Sequence, residues 1–93
     1  YRAHTRAHGW LDWVYKSDPS DTNKGCAGYP GEALDGLEIV GLNCTIYYRS
    51  QTTQRARWLP VCCSNDAACD DWAGIYGEPL DRVQVAVCNK NPF

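Results

Sequence analysis

Residues 26–41 read CAGYPGEALDGLEIVG, and residues 72–87 read WAGIYGEPLDRVQVAV. The two segments share an Ala-Gly pair, a later Gly-Glu pair and a Leu-Asp pair at matching positions. Further matches upstream are Tyr1-Arg2 with Tyr48-Arg49 and Trp10-Leu11 with Trp58-Leu59. Self-similarity at a nearly constant spacing is typical of one supersecondary unit that has been duplicated. Small duplicated units more often present binding surfaces than perform chemistry.

The chain is predicted to be a single all-β domain made of two pseudo-symmetric units of about three strands each. Its 93 residues leave room for one domain. The β-branched and aromatic run at 45–49 and the alternating valines at 83–87 are typical of strands, and no segment keeps a helical period over two turns. Repeat 1 is assigned to residues 1–42, repeat 2 to residues 45–88, and a short tail to residues 89–93.

Six cysteines in so short a chain predict a disulfide framework, because a domain of this size buries only a small core. They are Cys26, Cys44, Cys62, Cys63, Cys69 and Cys88. Cys62 and Cys63 should face opposite ways and have different partners, and Cys44 with Cys88 is a plausible bridge between the two closing strands. The rival interpretation, a zinc site, lacks a C-x2-C pair. The expected location is therefore outside the cell, where disulfides persist.

The formal net charge of −2 argues against a nucleic-acid partner, which would require a basic face. No apolar run is long enough to span a bilayer, so no membrane partner is expected. The chain has no nucleophile elbow and no H-E-x-x-H motif. Its best carboxylate candidates recur in both repeats, whereas an active site seldom needs two copies. These features predict a protein that is not an enzyme and that needs no cofactor.

The repeated Gly-x-x-Gly-Glu-x-Leu-Asp motif predicts a tight turn before the last strand of each unit, with glycines supplying positive φ. Asp35 and Asp81 are expected to cap these turns through backbone N–H groups. Trp10 and Trp58 occupy equivalent positions and are expected to pack in the core. His4 and His8 have no histidine counterparts in repeat 2, which favours ordinary surface or strand histidines over a zinc site.

Aromatic residues that the repeat does not duplicate, or that lie in its turns, are the candidates for ligand contact, because a small domain cannot bury them all. They are Trp13, Tyr15, Tyr29, Trp72 and Tyr76. Asp35 and Asp81 are the candidate acceptors for ligand hydroxyl groups. The alternative is that the aromatic rings merely cover loops and disulfides. Asn43-Cys44-Thr45 is a possible N-glycosylation site at the joint between the repeats.

The duplicated pattern resembles the Trp-containing surface repeats known as clostridial hydrophobic, or ChW-type, repeats. The matching segments are Tyr1-Arg2-Ala3-His4, Gly9-Trp10-Leu11-Asp12-Trp13-Val14 and residues 27–39 in the first unit, and Tyr48-Arg49, Trp58-Leu59-Pro60-Val61 and residues 73–85 in the second. The resemblance implies a non-catalytic accessory module of secreted peptidoglycan hydrolases or cell-surface enzymes. This chain departs from the pattern in its six cysteines, which favour an oxidising secretory setting.

Two functions of different classes follow from these observations. The first is a secreted module that binds polysaccharide, in particular peptidoglycan or another cell-wall glycan, with a parent enzyme in the same polypeptide as a further expected partner. The second is a small disulfide-rich inhibitor or effector of a secreted hydrolase, which would insert a rigid loop from residues 16–25 or 64–71 into its target.

Overall fold

The computed structural model describes residues 1–21, 24–64 and 69–93, and within these ranges the chain forms strands and no helix. The strands are β1 (Arg2–Thr5), β2 (Gly9–Trp10), β3 (Leu34–Glu38), β4 (Ile46–Thr52), β5 (Cys62–Cys63), β6 (Ala73–Gly74) and β7 (Leu80–Val87). The all-β prediction is confirmed. In the described ranges there is accordingly no helix that could cross a membrane.

The strands form a four-stranded sheet in the order β2-β1-β3-β6 and a three-stranded sheet in the order β5-β4-β7. All neighbouring strands are antiparallel. The division differs from the expected three strands per unit, because β6 comes from the second half of the sequence but pairs with β3 of the first half. Gly36 lies opposite Gly74 and Leu37 lies opposite Ala73. Small residues allow this close approach, since a Cβ at Gly74 would overlap the backbone carbonyl of Asp35.

The two long strand pairs, β1–β3 and β4–β7, have similar registers. The corresponding pairs are Arg2 opposite Glu38 with Arg49 opposite Gln84, and Thr5 opposite Leu34 with Thr52 opposite Leu80. In both pairs the register shifts immediately before the threonine. Such a bulge bends a strand and increases its local twist.

The core lies where the two sheets meet, around the fully buried Tyr48 of β4. Its ring packs with Cys62 and Ala73, and the partly buried Ile39 and Ile46 close the cluster. The Tyr48 hydroxyl donates to the carbonyl of Asp71 at 2.8 Å and accepts from the Ile39 N–H at 3.2 Å. One side chain of the three-stranded sheet therefore connects the segment after β3 to the segment before β6.

The cysteines form one bridge, between Cys63 and Cys69. Cys26, Cys62 and Cys88 are thiols in this structure, so the expected bridge from Cys44 to Cys88 is not formed. Cys62 and Cys63 do have different surroundings, because Cys62 packs into the core beside Tyr48 while Cys63 is bridged. The two loops considered for insertion into a partner, residues 16–25 and 64–71, include residues 22–23 and 65–68, which lie outside the described residues.

Burial predicts that Cys62 is chemically protected in the native state. Burial, with a smaller contribution from Asp70, raises the pKa of its thiol to about 12, so almost no thiolate exists at pH 8. Treatment of the native protein with iodoacetamide at pH 8, followed by peptide mass mapping, should modify the partly exposed Cys26 and leave Cys62 intact. Denaturant should make Cys62 reactive. Equal native rates at the two positions would contradict the packing described here.

The turn that precedes β7 contains a buried carboxylate, that of Glu78. The Glu78 carboxylate accepts from Nε and Nη2 of Arg55 at 3.0 and 2.9 Å, and from the hydroxyl of Thr52 at 2.7 Å. These hydrogen bonds lower the pKa of Glu78 from its ordinary value of 4.5, and those from Arg55 make the largest contribution.

The lowered pKa of Glu78 predicts a stability contribution that disappears in acid. The ionised form stabilises the folded chain above pH 4.5, and this contribution is lost as the pH falls through the lowered pKa. Glu78→Gln should therefore have a lower Tm than the parent protein at pH 7, and the difference should shrink steadily below pH 4.5. Thermal melts between pH 2 and pH 7 measure it, with Asp81→Asn on the exposed face of β7 as the control. A difference that is independent of pH would refute this account.

Candidate functional site

A row of directly opposed residues crosses the four-stranded sheet and organises its outer face. Trp10 of β2 lies opposite His4 of β1, His4 lies opposite Gly36 of β3, and Gly36 lies opposite Gly74 of β6. Directly opposed residues project from the same face of a sheet. The row therefore places two large rings at one end and two positions without side chains at the other.

The missing side chain at Gly36 makes room for two tryptophan rings. A Cβ there would lie 3.3 Å from Trp10 and 3.3 Å from Trp72, and 3.0 Å from the Cβ of His4. The rings of Trp10 and Trp72 meet edge to face, with centroids 5.6 Å apart. This arrangement suits the quadrupoles of the two rings. The sheet surface at Gly36 is thus covered by tryptophan from two distant parts of the sequence.

Tyr76 extends this cluster towards solvent. Its ring stacks on Trp72 with centroids 4.5 Å apart and packs against His4 at 4.3 Å. The Tyr76 hydroxyl accepts from Nε1 of Trp10 at 3.1 Å. Tyr76 nevertheless keeps 55% of its surface exposed, so its outer edge is available to a ligand.

Arg2 connects the cluster to Trp13. The guanidinium lies 4.6 Å from the ring centroid of Trp10 and 4.6 Å from that of Trp13, and it is oriented by an ion pair with Glu38 at 2.7 Å. Stacking of this kind holds planar groups at fixed spacing. We refer to the continuous set of Trp13, Arg2, Trp10, Trp72 and Tyr76 as the aromatic strip.

Two surface clefts flank the Trp13 end of the aromatic strip, and both are lined by Trp13 and Tyr15. One, of about 460 Å³, is mainly apolar and includes Val40 and Leu42. The other, of about 540 Å³, is lined by Asp12, Lys16 and Lys24, of which Lys16 also borders the first cleft. Tyr15 is 86% exposed. Trp13 and Tyr15 thus form a ridge between two clefts, with charged side chains along one side.

Asp35 supports the aromatic strip from below. It is buried, and its Oδ1 accepts from Nδ1 of His4 while its Oδ2 accepts from the backbone N–H of Gly77 at 2.7 Å. Both carboxylate oxygens are therefore engaged within the protein. The expected cap on a turn is present, but Asp35 caps the turn that follows β6 rather than the turn that precedes its own strand.

The remaining predicted residues lie in other surroundings. Tyr29 stacks on His8, with centroids 4.1 Å apart, and His8 in turn pairs with Glu32 at 2.8 Å. Asp81 lies exposed on β7, and Asn43 of the possible glycosylation site is exposed before β4. Of the five predicted aromatic residues, Trp72 and Tyr76 stack on each other, and Trp13 and Tyr15 line the same two clefts. The two pairs are connected through Arg2 and Trp10.

Sequence reasoning missed three members of this surface, namely Trp10, Arg2 and His4. Trp10 and Trp58 were expected in the core, but both are partly exposed, and each lies beneath an arginine guanidinium at 4.6 Å. The reason is that β2 is an edge strand whose tryptophan projects from the outer face. The sequence does contain a signal for this stacking, because an arginine of a Tyr-Arg pair and a tryptophan of a Trp-Leu pair recur together in both halves.

Among the described residues, no group of three or more histidine, cysteine and carboxylate side chains is arranged to hold a metal ion. A comparison with family models, curated proteins and solved structures finds no match to this chain.

Proposed function

We propose that this protein is a non-catalytic module that binds carbohydrate, in particular cell-wall polysaccharide, along the aromatic strip. The observation that carries the proposal is the unbroken contact from Trp13 through Arg2 to Trp10 and on to Tyr76 over one face of a sheet. An extended polymer needs an extended site, and this strip offers one without a deep pocket.

The chemistry of the strip suits sugar rings. Pyranose rings present apolar C–H faces that pack on flat aromatic rings, and their hydroxyl groups need polar partners at the edges. The ridge formed by Trp13 and Tyr15 supplies the flat surface. Lys16 and Lys24 can donate to hydroxyl oxygens, and the Asp12 carboxylate can accept from hydroxyl groups. Asp35 acts in this proposal as a positioning residue for His4 and the turn at Gly77, not as a ligand contact.

We further propose that the two halves of the chain are duplicated units, and that only the four-stranded sheet, which is built on β1 and β3 of the first unit, carries the site. The similar registers of β1–β3 and β4–β7 support the duplication. In the second unit, Arg82 takes the position of Gly36, so a side chain occupies the space that the tryptophan rings need. Arg49 of the second unit still stacks on Trp58. In the alignment of the two repeats, however, the residue that corresponds to Trp72 is Cys26, which has no ring.

The resemblance to ChW-type repeats and the bridge between Cys63 and Cys69 support a secreted location, because disulfides persist in oxidising compartments. The proposed setting is a secreted or wall-associated protein, in which this module holds a catalytic partner close to its polymer. Attachment of this kind raises the effective substrate concentration around a tethered enzyme.

Co-sedimentation with insoluble polysaccharides tests the proposal. Folded protein is mixed separately with peptidoglycan, chitin, β-glucan and cellulose, and the fraction that pellets with each polymer is measured. We expect selective depletion by one polymer, which identifies the substrate class, and competition by its soluble oligosaccharides. The heat-unfolded chain controls for non-specific adsorption. No depletion by any polymer would refute the glycan proposal and would direct the search to a protein partner, such as a secreted hydrolase.

A further inference from the structure

The strand β7 is the outer strand of its sheet, and within the described residues no strand pairs with its free edge. It is also exposed over most of its length. Val83, Val85 and Val87 keep 43%, 52% and 65% of their surface accessible. A long apolar edge strand is a template for pairing with another chain.

These valines project towards the core side of the sheet. Val85 lies opposite Tyr48 and Val83 lies opposite Ser50, and both partners are fully buried. Directly opposed residues share a face. Among the described residues, nothing covers the face of β7 that continues the protein core.

The first half of the chain shows what covers the equivalent edge. There β3 receives β6, with Ala73 opposite Leu37 and Gly74 opposite Gly36. The registers of the two long strand pairs place Gln84 at the position of Glu38. By the same equivalence, Val83 corresponds to Leu37.

A second Ala-Gly segment exists in the chain at Ala27-Gly28. Gly28 and Gly74 have similar left-handed backbone angles, with φ of 137° and 129°. Each segment leads into a turn with the same hydrogen bond. The N–H of Glu32 donates to the carbonyl of Tyr29, and the N–H of Glu78 donates to the carbonyl of Ile75, each at 3.0 Å. Ala27-Gly28 lies outside the described strands, is partly exposed and borders a surface cleft.

We propose that the free edge of β7 binds the segment at residues 26–28 of a second copy of this chain. The pairing repeats the contact of β6 with β3, so Ala27 of the second copy lies opposite Val83 and its Cys26 lies opposite Gln84. The inference rests on the duplication of the two halves and is independent of the glycan proposal.

Self-association tests this inference. In sedimentation equilibrium over a wide concentration range, the oxidised protein should show a reversible association. Val83→Lys should weaken it at least tenfold, because a charge would be buried against Ala27 of the incoming segment. The matched control is Val40→Lys, since Val40 is equally apolar and exposed but does not lie on β7. A protein that stays monomeric at all concentrations, or an association that both variants weaken equally, would overturn the inference.

A disulfide trap tests the register. In a Cys88→Ser background, Gln84→Cys should form a covalent dimer under mild oxidation, and peptide mapping should find the new thiol bridged to Cys26 of the other copy. Adding Cys26→Ser should abolish the dimer, and thermal melts would establish that each variant is folded. A dimer linked through any other cysteine would contradict the proposed pairing, even if the protein associates.

Discussion

Gly74→Ala is expected to destabilise this protein more than alanine at any other glycine with positive φ. Gly74 has φ of 129°, a conformation that side chains disfavour by about 1–3 kcal/mol. A Cβ there would also overlap the backbone carbonyl of Asp35 on β3, and crowding of this kind costs about 1–3 kcal/mol more. We expect a total loss of about 2–6 kcal/mol, which lowers Tm by at least about 8 °C in a domain of this size.

The matched control for that change is Gly77→Ala. Gly77 also has positive φ, at 86°, but a Cβ there would meet no atom within 4 Å. Only the backbone preference is lost, about 1 kcal/mol, and the Gly77 N–H can still donate to Asp35. Thermal melts of both variants measure the difference. Equal losses of Tm would show that β6 does not approach β3 as closely as the structure indicates.

Trp13→Ala is expected to have the largest effect on binding. Trp13 lies on the surface between two clefts, and its inner face rests on Arg2. Removing a central aromatic contact typically costs about 2 kcal/mol or more of binding free energy, which weakens affinity roughly 30-fold. Because the ring is partly exposed, Tm should change by only a few degrees. Co-sedimentation isotherms on the polymer that retains the parent protein provide the measurement.

Trp58→Ala is the control for Trp13→Ala. Its ring also stacks against an arginine, Arg49, at 4.6 Å, but Arg49 belongs to β4 of the three-stranded sheet and not to the aromatic strip. It should leave retention unchanged. Equal loss of retention in both variants would show that binding does not depend on the strip. Trp72→Ala is less informative, because Trp72 covers Gly36 and its loss should reduce both stability and binding.

Local sequence patterns predict some strands of the fold and not others. The β-branched and aromatic run that begins at Thr45 predicts β4, and the alternating valines predict β7, because these preferences act within a few residues. Local composition does not fix β3, because the strand covers Leu34–Glu38 although the continuous apolar stretch of the sequence lies further on, at residues 37–42. Likewise, residues 10–15 alternate apolar and polar side chains in part, but of these six residues only Trp10 belongs to a strand.

The sequence by itself determined that the chain is all-β, that its two halves share a pattern, and which aromatic residues have no counterpart in the other half. Only the tertiary structure decided that Trp10 lies outside the core and that Asp35 is buried beneath the aromatic strip. The physical reason is the pairing of β3 with β6, which brings Gly36 to Gly74 across a long stretch of chain. Such a contact depends on how close two backbones can approach. No local preference encodes it, although two glycines make it possible.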